Sequence, residues 1–287
     1  MGNFPLDLAV LDGLIARALA EDVGSGDVTT EALVDPERTG SAKLTAKEPG
    51  VLAGMPVVHR MVESAGEGLR LERPLPDGSR LGRGDGIGEL TGPCKAILTI
   101  ERTLLNFLQR LSGIATLTRR YVDAVDGTGA KVLDTRKTLP GWRMLSKYAV
   151  AVGGGTNHRM GLYDQVLIKD NHLAISGLSP AEAVAAARDR ADGSLRIEVE
   201  VTSAGDAQAA AEAGADIVML DNMAPQAMRD AVERVRRARP QTIIEASGSI
   251  TLETVREVAE TGVDWISVGA ITHSAPALDI SLDVEAS

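Results

Sequence analysis

The 287-residue sequence has a single cysteine, Cys94, and aromatic residues make up only 2% of it. One cysteine excludes an intramolecular disulfide and a cysteine-rich zinc site, which is typical of a reducing compartment. No apolar run approaches the roughly 18–20 residues that a membrane helix needs. The first ten residues have no basic region and include Asp7, which is unlike a secretory signal. We therefore expect a globular cytoplasmic protein that does not bind membranes.

The net charge of −10 and the shortage of aromatic residues argue against a nucleic-acid-binding protein. The charge is unevenly distributed along the chain. From Lys131 to His172 there are seven Lys and Arg residues against three acids, a local net charge of +4, and two of the four histidines. A basic segment in an acidic chain favours a local binding site for a small anion over a surface for polyanions.

The part of the chain before Lys131 has the short, mixed pattern of a small α+β unit. The spacing of apolar residues and the turn residues predict helices at 6–21 and 56–63, with strands and turns at 43–46 and 79–91.

Residues 95–125 predict two helices that are interrupted near Ser112-Gly113. The first of them has an apolar stripe made by Ile97, Ile100, Leu104, Leu108 and Leu111. Arg102 lies on roughly the opposite face and, by itself, is typical of an exposed helix residue.

From Lys131 onward the pattern alternates between strand and helix. Six apolar runs predict strands, at 131–133, 165–168, 195–201, 216–220, 242–245 and 265–268. Helical stretches separate most of them, for example at 180–191, 207–213, 224–237 and 252–260. This alternation is typical of a parallel sheet, and its spacing favours a closed or nearly closed α/β barrel of the TIM type. An open doubly wound sheet is the alternative, although no Gly-x-Gly-x-x-Gly follows an early strand.

Polar or glycine residues follow all six predicted strands. The early ends are basic (Arg136, Lys137, Lys169), the middle ends are acidic (Glu200, Asp221), and the late ends are rich in glycine (Gly248, Gly269). Since the carboxyl ends of parallel strands converge on the active site, we expect these groups to meet. Basic groups bind carboxylates or phosphates, acidic groups bind sugar hydroxyls or Mg²⁺, and glycine lets backbone N–H groups approach a phosphate.

Taken singly, most of these residues have a simpler interpretation. Arg136 and Lys137 alone would be typical of a solvated loop, and His172 could cap a strand end instead of contacting a substrate. Glu198 and Glu200 lie on one face of an apolar strand. Because a buried carboxylate is costly without a partner, a functional role is favoured for them.

Several motifs together resemble those of the quinolinate phosphoribosyltransferases, also called carboxylating nicotinate-nucleotide pyrophosphorylases. They comprise Leu133-Asp134-Thr135-Arg136-Lys137-Thr138, Gly153-Gly154-Gly155 through His158-Arg159, Ile168-Lys169-Asp170-Asn171-His172, Glu198-Val199-Glu200, Leu220-Asp221-Asn222, Glu245-Ala246-Ser247-Gly248, Ser267-Val268-Gly269, Glu21-Asp22 and Glu101-Arg102-Thr103-Leu104-Leu105-Asn106. The resemblance covers nearly the whole chain. It implies an N-terminal α+β open sandwich over 1–112, to which 276–287 returns, and a C-terminal α/β barrel over 113–275.

The implied enzyme is a pentosyltransferase of de novo NAD biosynthesis. It joins quinolinate to 5-phosphoribosyl 1-pyrophosphate and releases nicotinate mononucleotide, pyrophosphate and CO2. The implied substrate-binding residues are Arg102, Thr135, Arg136, Lys137, His158, Arg159, Lys169, Glu200, Asp221, Ser247, Gly248, Ser249 and Gly269.

The resemblance also implies a role for individual groups. The two carboxylates of quinolinate would be bound by Arg136, His158, Arg159 and Lys169, together with Arg102 of the partner subunit in a homodimer. Lys137, Lys169, Glu200 and Asp221 are the catalytic candidates. Lys137 would lie towards the pyrophosphate, and the two acids would hold the ribose hydroxyls directly or through Mg²⁺.

One residue departs from the family pattern, which usually has Ser-Gly-Gly where this sequence has Ser247-Gly248-Ser249. If position 249 needs a positive φ, a serine there carries a modest strain. Three other functions stay open at this point: a barrel lyase with Lys169 as a Schiff base, a phosphoribosyltransferase acting on nicotinate, and a non-catalytic sensor of a sugar phosphate.

Overall fold

The structure, a computed structural model, describes residues 6–286. Its elements up to the long central helix are α1 (Leu8–Val23), α2 (Val28–Leu33), β1 (Thr39–Ala46), β2 (Gly50–Val51), α3 (Met55–Ser64), β3 (Arg70–Glu72), β4 (Arg80–Leu81), β5 (Gly86–Pro93) and α4 (Cys94–Ala124). The later elements are β6 (Lys131–Leu133), α5 (Arg143–Val152), β7 (Val166–Ile168), α6 (Asp170–Ser176), α7 (Pro180–Arg190), β8 (Ile197–Val201), α8 (Ala204–Glu212), β9 (Ile217–Asp221), α9 (Pro225–Ala238), β10 (Ile243–Ser247), α10 (Val255–Ala259), β11 (Trp265–Ser267), α11 (Ala270–His273) and β12 (Ile280–Ala286). None of the described helices has the length and apolar character needed to cross a membrane.

The chain forms two compact units that are interleaved in sequence. The first contains 1–119, 139–154 and 275–287, and the second contains 120–138 and 155–274. Each unit combines separate stretches of the chain. The domain limits expected from the sequence, 1–112 with 276–287 and 113–275, therefore stay a prediction.

The first unit has an antiparallel sheet with the strand order β12-β1-β5-β3. β1 lies inside this sheet and pairs along its length with both β12 and β5. Its inward side chains Ala42, Leu44 and Ala46 are fully buried. Antiparallel pairing of the last strand with an early one completes this α+β unit.

Short polar residues and a glycine set the limits of α1. The carboxylate of Asp7 accepts hydrogen bonds from the backbone N–H groups of Ala9 and Val10, so it satisfies donors that the first turn leaves without helical partners. Gly24 follows the last turn with a φ of 54°, a conformation that glycine adopts without strain. The helix predicted at 6–21 is confirmed with a shift of two residues.

The prediction of two helices over 95–125 is wrong, because α4 runs without interruption from Cys94 to Ala124. Ser112 and Gly113 allow close packing instead of breaking the helix. The Ser112 hydroxyl bonds to the backbone of Ala53, and a β-carbon on Gly113 would lie 1.9 Å from the carbonyl oxygen of Pro276. The apolar stripe on this helix is buried, and Arg102 is exposed, as predicted.

The second unit has six parallel strands in the order β6-β11-β10-β9-β8-β7. Each strand from β7 to β10 pairs with the next one in sequence, and β11 returns to pair with β6. Among the described residues no pairing joins β6 to β7, although a bridge from Leu133 to Thr156 extends the sheet beyond β6. The predicted α/β barrel, closed or nearly closed, is confirmed in its nearly closed form.

All six predicted barrel strands are present, with ends that differ from the prediction by at most two residues. The helices α5 and α6 were not predicted. α6 begins directly after Lys169, and the Nδ1 atom of His172 accepts the backbone N–H of Lys169 at 2.9 Å. Of the two interpretations of His172, capping is therefore the one that the structure supports.

Two helical glycines provide a test of the packing at α4. Gly113→Ala is expected to destabilise the protein by about 2 kcal/mol or more, since its methyl group would overlap backbone atoms. Gly13→Ala on α1, where the nearest atom would be 3.6 Å away, should stabilise it by about 0.5–1 kcal/mol. Urea unfolding measures both changes. Equal stability of the two variants would contradict the close approach at Gly113.

Candidate active site

A cavity of about 310 Å³ lies among the carboxyl ends of the barrel strands. Its lining is formed by Thr135, Arg136, Lys137, His158, Arg159, Leu167, Lys169, Met219, Ser247 and Ser267. Seven of these ten residues were predicted from the sequence to bind substrate. The barrel thus brings together groups from six separate stretches of chain.

Four cationic side chains line this cavity, from Arg136, Lys137, Arg159 and Lys169. The Nε of Arg136 is buried, and none of the described residues accepts a hydrogen bond from it. Burial lowers the pKa of Arg159, and the nearby charge of Arg136 lowers it further. Two guanidinium groups held close together, one with an unused buried donor, form a site that an anion would stabilise.

The predicted acidic residues stand at the ends of the neighbouring strands β8 and β9. Glu200 is nearly buried, and its carboxylate lies 3.0 Å from the ammonium of Lys169. Asp221 accepts a hydrogen bond from the side chain of Asn222 at 2.8 Å, and it is in register with Ser247 on β10. Neither acid lines the cavity itself, but each is adjacent to a residue that does.

The glycine-rich strand ends have the close contacts expected of a phosphate loop. Gly248 has a φ of 99°, and a β-carbon there would lie 2.2 Å from the Asn222 side chain. Ser249 has a φ of 49°, so the strain suspected at this position is present. A β-carbon on Gly269 would lie 3.1 Å from the side chain of Lys137. Position 248 therefore requires glycine, whereas a larger residue at 269 would need the side chains of Lys137 and His273 to shift.

His158 faces two buried carboxylates on the inner side of the cavity wall. Its Nε2 lies 3.2 Å from Glu198 and 3.5 Å from Glu245. Burial lowers the pKa of the His158 ring, whereas hydrogen bonding to Glu198 and Glu245 and their charge raise it. Burial also raises the pKa of Glu198, and the charge of Glu245 raises it further. The three groups therefore interact closely, and the protons of the His158 ring depend on its hydrogen bonds.

The hydrogen bonds of the ring indicate where those protons lie. The Nδ1 atom of His158 accepts the backbone N–H of Arg159 at 2.7 Å. A second ring proton would occupy Nδ1 and point at that N–H. The ring consequently carries its proton on Nε2, which faces Glu198 and Glu245.

A buried aspartate holds the backbone that carries His158 and Arg159. Asp134, directly after β6, accepts hydrogen bonds from the Asn157 side chain at 2.6 Å and from the backbone N–H of His158 at 2.9 Å. The Arg159 guanidinium in turn donates to the carbonyl oxygen of Gln165 at 3.1 Å. This segment, 157–159, is therefore fixed from both sides.

Arg102 belongs to the first unit, where it is exposed on α4. That unit has a larger cavity of about 530 Å³, whose charged lining residues are Arg17, Glu21 and Asp22. One cation beside two acids does not suit a dianionic substrate. The cavity of the barrel unit, with its four cations, fits such a substrate better.

Sequence reasoning left several residues of the site out of the predicted set. Glu245, Asp134 and Gln165 were not given a role, although the first two stand at strand ends as the predicted residues do. Glu198 was given a functional role without a partner. Leu167 and Met219 form the apolar part of the lining, and nothing in the sequence distinguishes them from core residues.

Comparison with known proteins gives one consistent result. Residues 27–112 match the model of the N-terminal domain of quinolinate phosphoribosyl transferase, and residues 114–283 match that of its C-terminal domain. The chain is 44% identical over 275 residues to the probable nicotinate-nucleotide pyrophosphorylase [carboxylating] of Bacillus subtilis, covering 96% of this chain and 93% of the relative. It is also 44% identical to the nicotinate-nucleotide pyrophosphorylase [carboxylating] of Mycobacterium leprae, covering 94% and 95%.

Solved structures of the same kind are similar over almost their full length. The crystal structure of NadC from Streptococcus pyogenes has a TM-score of 0.93 at 41% identity and covers 99% of both chains. The nicotinate-nucleotide pyrophosphorylase from Francisella tularensis has a TM-score of 0.91 at 38% identity and covers 98% of both.

The strain at Ser249 gives a prediction that needs no substrate. Ser249→Gly is expected to stabilise the protein by about 0.5–1 kcal/mol, because relief of the left-handed conformation exceeds the entropy that glycine loses on folding. Ser249→Ala removes the same hydroxyl but keeps the strain, so its free energy of unfolding should not rise. If both variants had the same stability, the positive φ would carry no measurable cost.

Proposed function

The chain belongs to the quinolinate phosphoribosyltransferase family, and we propose that its barrel cavity binds quinolinate and joins it to phosphoribosyl pyrophosphate, forming nicotinate mononucleotide, pyrophosphate and CO2. The observation that carries this proposal is the buried, partnerless Nε of Arg136 in a cavity with three further cations. Such a site is incomplete without an anion, and quinolinate has two carboxylates.

The cations would bind and orient quinolinate. Arg136 and Arg159 are suited to bidentate contacts with carboxylates, because the guanidinium is planar and permanently charged. Leu167 and Met219 provide apolar surface for the pyridine ring. Binding both carboxylates fixes the direction of the ring nitrogen, which is the nucleophile. Positioning of this kind accounts for much of the rate gain when two substrates react.

The acidic and glycine-rich strand ends would hold the second substrate. Glu200 and Asp221 are suited to bind the ribose hydroxyls next to C1, where positive charge develops as pyrophosphate leaves. Lys137 lies against Gly269 and is suited to bind the pyrophosphate. Two carboxylates on neighbouring strands also fit Mg²⁺, which prefers oxygen ligands and would neutralise the leaving pyrophosphate.

Loss of CO2 follows from the charge of the ribosylated ring. Once the ring nitrogen has bonded to C1 of the ribose, the ring is cationic. The electron pair of the broken carbon–carboxylate bond then stays on the ring carbon next to that nitrogen, and a proton takes the place of CO2. No general base is required for the first step, so electrostatic stabilisation by the cations is the main contribution of the protein.

The structure weakens two of the three alternatives. A lysine that forms a Schiff base needs apolar surroundings, whereas Lys169 is paired with Glu200 and its side chain is 45% exposed. Nicotinate has one carboxylate and would leave part of the cationic lining without a partner. The third alternative, a non-catalytic sensor of a sugar phosphate, predicts binding without release of pyrophosphate.

An assay with quinolinate, phosphoribosyl pyrophosphate and Mg²⁺ tests the proposal directly. We expect nicotinate mononucleotide and pyrophosphate in equal amounts, and no product once a chelator removes Mg²⁺. Arg136→Ala should lower kcat/KM for quinolinate roughly a hundred-fold, which corresponds to about 3 kcal/mol for a lost charged contact. Arg229→Ala, on the exposed face of α9, removes the same side chain outside the cavity and is the matched control.

Three outcomes would count against the proposal. Nicotinate turnover without quinolinate turnover would support the nicotinate enzyme. Binding of phosphoribosyl pyrophosphate without product would support the sensor. Full activity of Arg136→Ala would refute the role of the carboxylate site.

We also propose, from the family resemblance, a homodimer in which Arg102 of the partner subunit completes each site. The exposure of Arg102 and its position opposite a buried stripe are compatible with a contact outside its own unit. A cytoplasmic location, suggested by the single cysteine, likewise stays a proposal.

Mixing two inactive variants tests the shared site. In a hybrid dimer of Arg102→Ala and Arg136→Ala, one site has both substitutions and the other has none, so random exchange should restore about a quarter of the activity. Arg136→Ala mixed with Lys169→Ala is the control, because every site of that hybrid keeps one defect. No recovery despite subunit exchange, followed by native mass spectrometry, would contradict sharing.

A further inference from the structure

A chain of polar groups crosses the interior of the barrel beneath the cavity. Glu198 on β8 and Glu245 on β10 are both fully buried, and the ring of His158 lies between them. The amide of Gln165 donates to Glu198, and the hydroxyl of Ser267 donates to Glu245 at 2.5 Å. We name these five residues the inner polar cluster.

The inner polar cluster occupies both nitrogens of the His158 ring. Nδ1 accepts the backbone N–H of Arg159, so the proton of the ring is on Nε2, which faces the two carboxylates. Neither nitrogen is left to donate to a carboxylate of the substrate. His158 therefore lines the cavity without the free N–H group that a direct ligand of quinolinate would need.

A metal ion is the other occupant to consider, because one ligand atom from each of His158, Glu198 and Glu245 lies within 4.8 Å of the others. A histidine that binds a metal through one nitrogen normally donates a hydrogen bond from the other. Here Nδ1 accepts a hydrogen bond, and the charge of Arg159 acts on Glu198. The acceptor role of Nδ1 consequently argues against a metal ion bound through Nε2.

The inner polar cluster is connected to the substrate-binding cation next to it. The ring of His158 holds the backbone of Arg159, and Gln165 contacts both the Arg159 guanidinium and the Glu198 carboxylate. Two buried carboxylates contribute less to stability than apolar residues of the same size would. A role in placing Arg159 explains why they are there.

We propose that Glu198 and Glu245 are positioning residues: they fix the ring of His158 from inside the barrel, and the ring and Gln165 together hold Arg159 in place for a carboxylate of quinolinate. This inference depends on the quinolinate site proposed above. It also assigns His158 a role that differs from the one implied by the family resemblance, since His158 acts through Arg159 and not as a ligand of the substrate.

Substitutions that preserve size test the proposal. Glu198→Gln and Glu245→Gln should each raise KM for quinolinate about ten-fold, while kcat and KM for phosphoribosyl pyrophosphate change less than about two-fold. Their Tm values should be equal to or above that of the unchanged protein, because a buried charge is removed. Glu257→Gln, on an exposed position of α10, removes the same charge and should change nothing. A lower Tm with no selective change in KM would overturn the proposal.

A double-mutant cycle tests whether the effect passes through Arg159. In an Arg159→Ala background, Glu245→Gln should raise KM for quinolinate no further, whereas independent effects would multiply. If the two substitutions multiplied their effects on KM for quinolinate, Glu245 would act independently of Arg159, and the proposal would be overturned.

Nitrogen NMR of the full chain observes the His158 ring without an activity assay. Comparison with His158→Gln assigns the signals of this ring. We expect a protonated Nε2 and an unprotonated Nδ1. Stoichiometric Zn²⁺ or Mn²⁺ in the purified protein that is lost in Glu198→Gln would overturn the proposal, and so would a ring protonated at both nitrogens. Turnover by the unchanged protein, measured alongside the variants, separates the positioning role from the proposed reaction. If the unchanged protein forms no product, the proposed function is wrong. The NMR result still decides the protonation of the His158 ring in that case.

Discussion

The parallel register of β6 to β11 is the constraint on which the candidate active site depends. Hydrogen bonding between neighbouring strands aligns Ser247 with Asp221 and Ser267 with Leu133, so that the strands end at the same rim. Residues separated by more than a hundred positions in the sequence thus line one cavity. A parallel sheet that curves back on itself, with β11 beside β6, is the simplest way to gather so many short polar segments.

That rim separates charges by sign. Cations from the ends of β6 and β7 and from segment 157–159 occupy the cavity, whereas Glu200 and Asp221 stand at the ends of β8 and β9. Like charges such as Arg136 and Arg159 repel each other in the absence of a ligand, and an anionic substrate removes that repulsion. In the proposed reaction this division would also order the two substrates, with the carboxylates of quinolinate on the basic side and the ribose on the acidic side.

Beneath the rim, the inner polar cluster replaces part of the apolar packing that usually fills a barrel. It is held by contacts of side chains that belong to different strands, so its geometry is as rigid as the sheet itself. Rigid support of this kind limits the movement of Arg159, and precise placement of a charged group matters more for binding than its presence alone. The cluster therefore links the core of the barrel to the chemistry at its mouth.

The sequence by itself determined the strands of the barrel, the buried stripe of α4 and most of the cavity lining, because periodicity and strand-end polarity are local properties of the chain. The departure from the family's Ser-Gly-Gly pattern also indicated Ser249 as a position of strain. Only the tertiary structure decided that Ser112-Gly113 continues α4, since the reason is an approach of Pro276 from a distant part of the chain. It likewise decided the surroundings of His158, because the two carboxylates and the backbone N–H that face its ring nitrogens are not recognisable as partners in the sequence.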